Sequence, residues 1–263
     1  MLDKGVDKRK KYTAPALEKG IDIIEYMTDQ THGLTMSEIS QGLKRSVGEL
    51  FRMVVVLEQR GYLNFDTASE EYSLTLKMFD IAHRNVPISK LTGAAIPVMQ
   101  SLVRELRQSC HMTVYHDGKC MVIAQKESPG PSGFNVRLGV EVQLLQSCSG
   151  HVILAFSDDT ARKFMLSECP ATVRRSIKKA ALKDILDKVK ENGFECMDSA
   201  ITHGVKDIGF PVFNHMGEVV AALTVPFLER IDGSQRIDID DAIDRLGTAV
   251  EEISRAMGYS PKK

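Results

Sequence analysis

The sequence lacks any apolar run that approaches the ~18 residues needed to span a bilayer. Its first residues are too polar for a secretion signal, so we expect no association with a membrane. The five cysteines are odd in number and include no Cys-x-x-Cys pair, which argues against a disulfide framework and a structural zinc site. This cysteine usage fits a reducing compartment and predicts a cytoplasmic protein.

An excess of positive charge is also missing, because the net charge is −1 and the isoelectric point is about 6.7. Any contact with nucleic acid must therefore come from a local basic patch. One such patch lies at positions 3–11, where five basic side chains face two acidic ones. This run is either a flexible, solvated tail or an arm that touches DNA.

Catalytic motifs are missing as well: there is no Gly-x-Ser-x-Gly elbow, no phosphate-binding glycine loop and no His/Glu motif with metal-ligand spacing. Cys148 with His151 or His203 could form a nucleophile and a base, but Cys148 and His151 share one helix start, which supplies no oxyanion site. One further cluster flanks a predicted hairpin: Cys110, His111, His116 and Cys120. We expect no enzymatic activity, no metal and no cofactor.

The first part of the chain shows the pattern of three helices followed by a small hairpin. Residues 15–28 predict a helix whose buried stripe is Leu17, Ile21, Ile24 and Met27. Capping boxes at 35–38 and 46–49 begin a second and a third helix. Segments 62–65 and 71–76 then predict two paired strands across a polar turn. This order describes a winged helix-turn-helix.

The third helix has two different faces. Val47, Leu50, Val54 and Leu57 recur at helical spacing and are predicted to face the core. In a helix-turn-helix, the second helix of the pair lies in the major groove with its N-terminal residues aimed at bases and phosphates. The candidate DNA-binding residues on the other face are Arg45, Ser46, Gly48, Glu49, Phe51 and Arg52.

Each of these residue types suits a contact with DNA. Gly48 allows close approach, Arg45 and Arg52 attract phosphates or guanine edges, and Ser46 can donate to a phosphate. Glu49 could accept from cytosine, although its capping box explains it without DNA. Phe51 could touch a thymine methyl or fill the edge of the core.

The rest of the chain predicts an α/β domain with an antiparallel sheet and helices packed on it. We expect a helix over 91–108, a hairpin around Asp117-Gly118, strands in "DIGFPVF" and "GEVVAALTVPFL", and a long amphipathic C-terminal helix. The predicted boundaries are a DNA-binding domain at 1–76, a linker helix at 77–87 and a second domain at 88–263. The segment 134–146 is predicted to be strand-like.

Four small polar residues, 147–150, precede the apolar helical run "HVILAF". Backbone N–H groups at such a helix start offer a site for a carboxylate or another anion. The alternative is an ordinary N-cap by Ser147 or Ser149, which needs no ligand.

Several stretches together resemble the IclR family of bacterial transcription regulators. They are "PALEKGIDIIEYM", "LTMSEISQGLKRSVGELFRMVVVLEQRGYLNFD", "GVEVQLLQSCSGHVILAF" and "HGVKDIGFPVFNHMGEVVAALTV". The resemblance covers the chain from Ala14 to Gly258. It implies an α+β protein with a winged helix-turn-helix, a linker helix and a GAF-like effector domain, acting as a homodimer or homotetramer on operator DNA.

The resemblance also implies an effector pocket. Carried over position by position, its residues are Ser147, Cys148, Ser149, Gly150, Asp198, Ser199, Asp207 and Thr224. Leu145, beside Leu144, could offer an apolar wall, or both could be core residues. The chain departs from the family where Ser149-Gly150-His151 replaces a small residue, glycine and a lysine or arginine. The wing turn also carries acidic residues, which would repel phosphates.

We therefore expect a DNA-binding transcription regulator whose operator binding is modulated by a small-molecule effector, an organic acid. The alternatives are a winged-helix regulator whose second domain serves oligomerisation only, and an enzyme based on Cys148.

Overall fold

The computed structural model describes residues 13–83, 86–130, 133–229 and 237–260, so the basic patch at positions 3–11 lies outside the described residues. The described residues fall into two compact units, an N-terminal unit that ends at 83 and a C-terminal unit that begins at 86. Two helices cover the predicted linker, one ending at His83 and a long one beginning at Val86. Within the described ranges, no helix is both long and apolar enough to cross a membrane.

The N-terminal unit is the predicted winged helix-turn-helix. Its elements are α1 (Pro15–Thr28), α2 (Met36–Gly42), α3 (Val47–Gln59), β1 (Leu63–Asp66), β2 (Glu71–Leu74) and α4 (Lys77–His83). Both capping boxes are present, at the starts of α2 and α3. The two strands pair antiparallel and form the wing.

The core of this unit differs from the predicted stripes at three positions. Leu50 and Val54 of α3 are buried as predicted, but Val47 is 42% exposed. In α1 the buried residues are Ile23 and Met27, whereas Leu17 and Ile21 are largely exposed. The prediction for α1 was wrong there because apolar residues occur on two sides of this helix. Only the side that packs on α2, α3 and β2 is covered.

The C-terminal unit alternates helices with strands of one sheet. Its elements are α5 (Val86–Leu106), β3 (Cys110–His116), β4 (Lys119–Lys126), β5 (Glu141–Val142), α6 (Cys148–Phe156), α7 (Asp159–Glu168), α8 (Ala171–Ser176), α9 (Lys179–Asn192), β6 (Glu195–Asp198), β7 (Val205–Phe213), β8 (Val219–Leu228) and α10 (Ile239–Ala256). The sequence did not indicate α7, α8 or β6. In the segment 134–146, only Glu141–Val142 is strand.

The sheet has the order β5-β4-β3-β8-β7-β6, and every neighbouring pair is antiparallel. One core lies between this sheet and helices α5 and α10, and it includes Met112, Ile208 and Leu223. A second core lies on the other face, where α6 and α9 pack and Ala222 is buried. This arrangement confirms the predicted α+β fold with an antiparallel sheet.

The β3–β4 hairpin turns as the Asp117-Gly118 pair predicts. Asp117 has a φ of 42° and Gly118 a φ of 75°. Two consecutive positive φ values are the geometry of a type I′ turn, which matches the twist of the flanking strands.

Candidate functional site

The six predicted DNA-binding residues lie together around the N-terminal end of α3. Ser46 is the N-cap, Arg45 precedes it, and the others lie on the first two turns of the helix. All six are exposed. Phe51 is 50% exposed, so it does not fill the core.

Two of the charged residues at this surface already have partners in the protein. The Arg45 guanidinium lies 3.0 Å from a carboxylate oxygen of Asp22 in α1. Glu49 accepts from the backbone N–H of Ser46 at 3.0 Å and from its hydroxyl at 2.9 Å, and it pairs with Lys19 at 3.3 Å. These bonds, led by the one from the backbone, lower the pKa of Glu49 to about 2. Capping and an ion pair thus account for Glu49.

Arg52 differs from Arg45 in having no ion-pair partner among the described residues. Its side chain projects from an exposed position one turn after Gly48. An unpaired guanidinium beside a helix start is well placed to bind a phosphate or a guanine edge.

No contact among the described residues requires glycine at position 48. A Cβ at this position would meet no atom within 4 Å, and Gly48 is not among the glycines with positive φ. Glycine inside a helix costs roughly 0.5–1 kcal/mol relative to alanine. A partner outside the protein that approaches the backbone closely would explain the residue.

The second site is a cavity of about 270 Å³ in the C-terminal unit. Six of the nine predicted effector residues line it: Ser147, Cys148, Ser149, Ser199, Asp207 and Thr224. They come from the start of α6, from β7 and β8, and from the segment after β6. The structure thus brings together residues that are widely separated in the chain.

The other three predicted effector residues lie elsewhere. Leu145 is buried in the core beside α6 and α9. Gly150 packs so tightly that a Cβ there would lie 2.0 Å from the carbonyl oxygen of Leu144. Asp198 lines a neighbouring cavity, of about 610 Å³, that it shares with Ser199.

Ten lining residues were not predicted from the sequence. They are His111, Phe134, Val136, Val140, Glu141, Val142, Gln143, Gln146, Ala200 and Ile201. Most lie in the segment 134–146, which runs along the cavity instead of forming a long strand. The sequence signal for this wall was the alternation of valines in the segment, because these valines face the cavity.

A row of three residues crosses the sheet at the floor of the cavity. Gly209 pairs with Thr224, and Thr224 pairs with His111, so all three point to the face on which α6 packs. A Cβ on Gly209 would lie 2.7 Å from the Cys148 sulfur and 3.3 Å from Thr224 Oγ1. Glycine is therefore required for α6 to approach the sheet. His111 Nδ1 and Thr224 Oγ1 are buried and have no hydrogen-bond partner.

Burial shifts the pKa values of two side chains that line the cavity, His111 and Asp207. It lowers the pKa of His111 from 6.5 to about 4, so this imidazole is neutral at pH 7. Burial also raises the pKa of Asp207, against a smaller lowering by the Ser199 hydroxyl. Of the described residues that line the cavity, none is a lysine or an arginine.

A largely buried ion pair, between His151 and Glu195, lies beside the cavity. His151 Nδ1 lies 2.9 Å from Glu195 Oε2, and Nε2 lies 3.0 Å from the carbonyl oxygen of Leu145. Both partners are acceptors, so both contacts are satisfied when both ring nitrogens carry protons. This pair ties the segment before α6 to β6, and these two elements lead into opposite walls of the cavity.

Because His151 contacts other groups, Cys148 lacks the general base that a nucleophilic cysteine needs. Burial raises the pKa of its thiol well above 9.0, with nearby carboxylates adding to the shift. His151 uses both ring nitrogens in other bonds. The thiol is therefore neutral and has no base.

The start of α6 is capped by Ser147. The Ser147 hydroxyl accepts from the backbone N–H of Gly150 at 3.1 Å. The hydroxyl oxygens of Ser147 and Ser149 lie 3.4 Å apart.

No group of three or more His, Cys, Asp or Glu residues among those described could hold a metal ion.

Comparisons with known proteins match both parts of the chain. Residues 16–67 match the sequence model of the IclR helix-turn-helix domain, and residues 84–256 match that of the bacterial transcriptional regulator IclR C-terminal domain. The chain is 27% identical over 262 residues to the regulator KdgR of Escherichia coli, covering 98% of both chains. It is 23% identical to the E. coli regulator XynR, covering 93% of this chain and 97% of XynR.

Solved structures share the fold. The Thermotoga maritima IclR structure matches with a TM-score of 0.74 and 23% identity, covering 92% of this chain and 98% of that one. An IclR homologue from Microbacterium hydrocarbonoxydans, complexed with 4-hydroxybenzoate, matches with a TM-score of 0.73, 19% identity and the same coverage. The relatives are transcriptional regulators, not enzymes. With both domain models matched over most of its length, the chain belongs to the IclR family of bacterial transcriptional regulators.

Proposed function

We propose that this regulator binds operator DNA through the exposed start of α3 and that a small organic acid in the cavity changes this binding. The observation that carries the proposal is the cavity itself. It is lined by a polar floor and an apolar wall and includes two buried polar atoms without partners. Such a cavity is the usual form of a small-molecule site.

The alternative is that the C-terminal unit serves only for oligomerisation. A unit with that role alone has no need of buried, unpaired polar atoms, which cost free energy. The 4-hydroxybenzoate complex of the Microbacterium homologue supports a role in effector binding. The regulator then acts in the cytoplasm, where it meets its operator.

Arg52→Ala is expected to weaken operator binding by about 1–3 kcal/mol, because a guanidinium contact to a base edge or phosphate is lost. The melting temperature should stay nearly unchanged, since the side chain is exposed and unpaired. A fluorescence anisotropy titration would measure the affinity. Arg60→Ala is the matched control, because Arg60 is the C-cap of the same helix, far from its start. Equal losses in the two variants would contradict this orientation of α3.

The regulator is expected to act as a homodimer or a homotetramer on a pseudo-palindromic operator. One recognition helix reads few bases, and a two-fold symmetric protein places two such helices on successive half-sites. Sedimentation velocity with and without operator DNA would give the stoichiometry. A monomer in both conditions would contradict the proposal.

Ser149→Leu is expected to preserve operator binding and to lower effector affinity at least about tenfold. The larger side chain fills the space at the start of α6, and an effector changes DNA affinity only through its different affinities for two states. Operator titrations with and without effector would show the loss of response. Ser149→Ala is the control, because it removes the hydroxyl but leaves the space. A normal response in Ser149→Leu would place the effector elsewhere.

A further inference from the structure

The floor of the cavity carries two polar side chains, each with a buried atom that no described residue satisfies. His111 is 5% exposed and Thr224 is 1% exposed, and both line the cavity. Neither His111 Nδ1 nor Thr224 Oγ1 has a hydrogen-bond partner. Because they are paired across β3 and β8, their side chains are neighbours on the same face of the sheet.

The surroundings of this pair disfavour charge of either sign. Burial lowers the pKa of His111, which shows that a cation is unfavourable there, and it raises the pKa of Asp207, which shows the same for an anion. A ligand carboxylate at the floor would also have no lysine or arginine among the described lining residues to balance its charge. A ligand ammonium would have to lose its hydration beside a neutral imidazole.

A hydroxyl group fits these conditions. It is neutral, and it can accept one hydrogen bond and donate another. The Thr224 hydroxyl and His111 Nδ1 can each serve as donor or acceptor, so a single ligand hydroxyl can satisfy both.

We propose that the effector carries a hydroxyl group, and that this group binds at the cavity floor between His111 and Thr224. Any carboxylate of the same effector then lies away from the floor. The apolar part of the ligand contacts the wall formed by Phe134, Val136 and Val142, with Ile201 on the other side. This inference rests on the proposed function, because it assigns the ligand class of the same cavity.

Three probes of equal size test the inference on the full chain: benzyl alcohol, benzylamine and ethylbenzene, which has a methyl group in place of the hydroxyl. Titration calorimetry is expected to show that benzyl alcohol binds about tenfold more tightly than the other two. Thr224→Val should weaken benzyl alcohol about three- to tenfold, which corresponds to the loss of one hydrogen bond. The melting temperature of this variant should not fall, because the lost hydroxyl has no hydrogen-bond partner among the residues that the structure describes.

Thr113→Val is the matched control. Thr113 lies two residues after His111 on β3 and has a buried hydroxyl without a partner, but it does not line the cavity. This variant should bind benzyl alcohol like the wild type.

Three results would overturn the inference. They are ethylbenzene or benzylamine binding as tightly as benzyl alcohol, equal losses in the Thr224 and Thr113 variants, and no binding of any probe at millimolar concentration. None of them affects operator binding. A failure of the proposed function would appear instead as unchanged operator affinity in Arg52→Ala or an intact effector response in Ser149→Leu.

Discussion

His151→Leu is expected to lower the free energy of unfolding of the C-terminal unit by about 3–5 kcal/mol. The His151 side chain is 6% exposed and that of Glu195 is 13% exposed, so water has little access to the pair. Leucine leaves the Glu195 carboxylate buried without a counter-charge and leaves the Leu145 carbonyl without its donor. Urea denaturation followed by circular dichroism would measure the loss.

Two further variants make this result specific. The double variant His151→Leu/Glu195→Leu should recover much of the stability, because it removes both charges together. Lys183→Ala breaks the exposed pair with Asp187, whose side chains are 75% and 64% exposed, and should cost less than about 1 kcal/mol. If His151→Leu were as mild as Lys183→Ala, the buried pair would not stabilise the walls of the cavity.

Gly150→Ala is expected to destabilise the C-terminal unit by about 2–4 kcal/mol. A Cβ at this position would lie 2.0 Å from the Leu144 carbonyl oxygen and 2.6 Å from the carbonyl carbon. Both atoms belong to the backbone, which cannot rotate away as a flexible side chain can. The segment before α6 must therefore move, and with it the lining residues Gln143 and Ser147.

Gly93→Ala is the control for this effect. Gly93 is exposed, lies in α5, and has no atom within 4 Å of an added Cβ. This substitution should be neutral or stabilise by up to about 1 kcal/mol, because alanine favours helix. Equal melting temperatures for the two alanine variants would show that the segment before α6 yields easily.

Local patterns in the sequence predicted much of the fold because each depends on neighbouring residues. The capping boxes located the starts of α2 and α3, and the Asp117-Gly118 pair located a hairpin. The motif at 147–150 located the start of α6 and with it part of the cavity. In each case, the residues that decide the structure lie within a few positions of one another.

The cavity floor could not be predicted in this way. His111 was visible only as a member of a sequence cluster, and its position beside Thr224 depends on the register of β3 against β8. A shift of one residue would turn His111 to the opposite face of the sheet. The exposure of Leu17 and Ile21 has a similar origin, because the side of α1 that is covered depends on how α3 packs against it.

The pairing of β3 with β8 also sets when the cavity can form during synthesis. His111 and Thr224 are more than 100 residues apart in the chain, so a ribosome takes about 5–20 s to make the second after the first. Throughout that time the backbone of β3 is unpaired along the edge that later binds β8. The core around Cys110 and Met112 is incomplete during the same period. A nascent chain that stops before Val219 lacks β8 and with it Thr224, so it cannot complete the floor of the cavity.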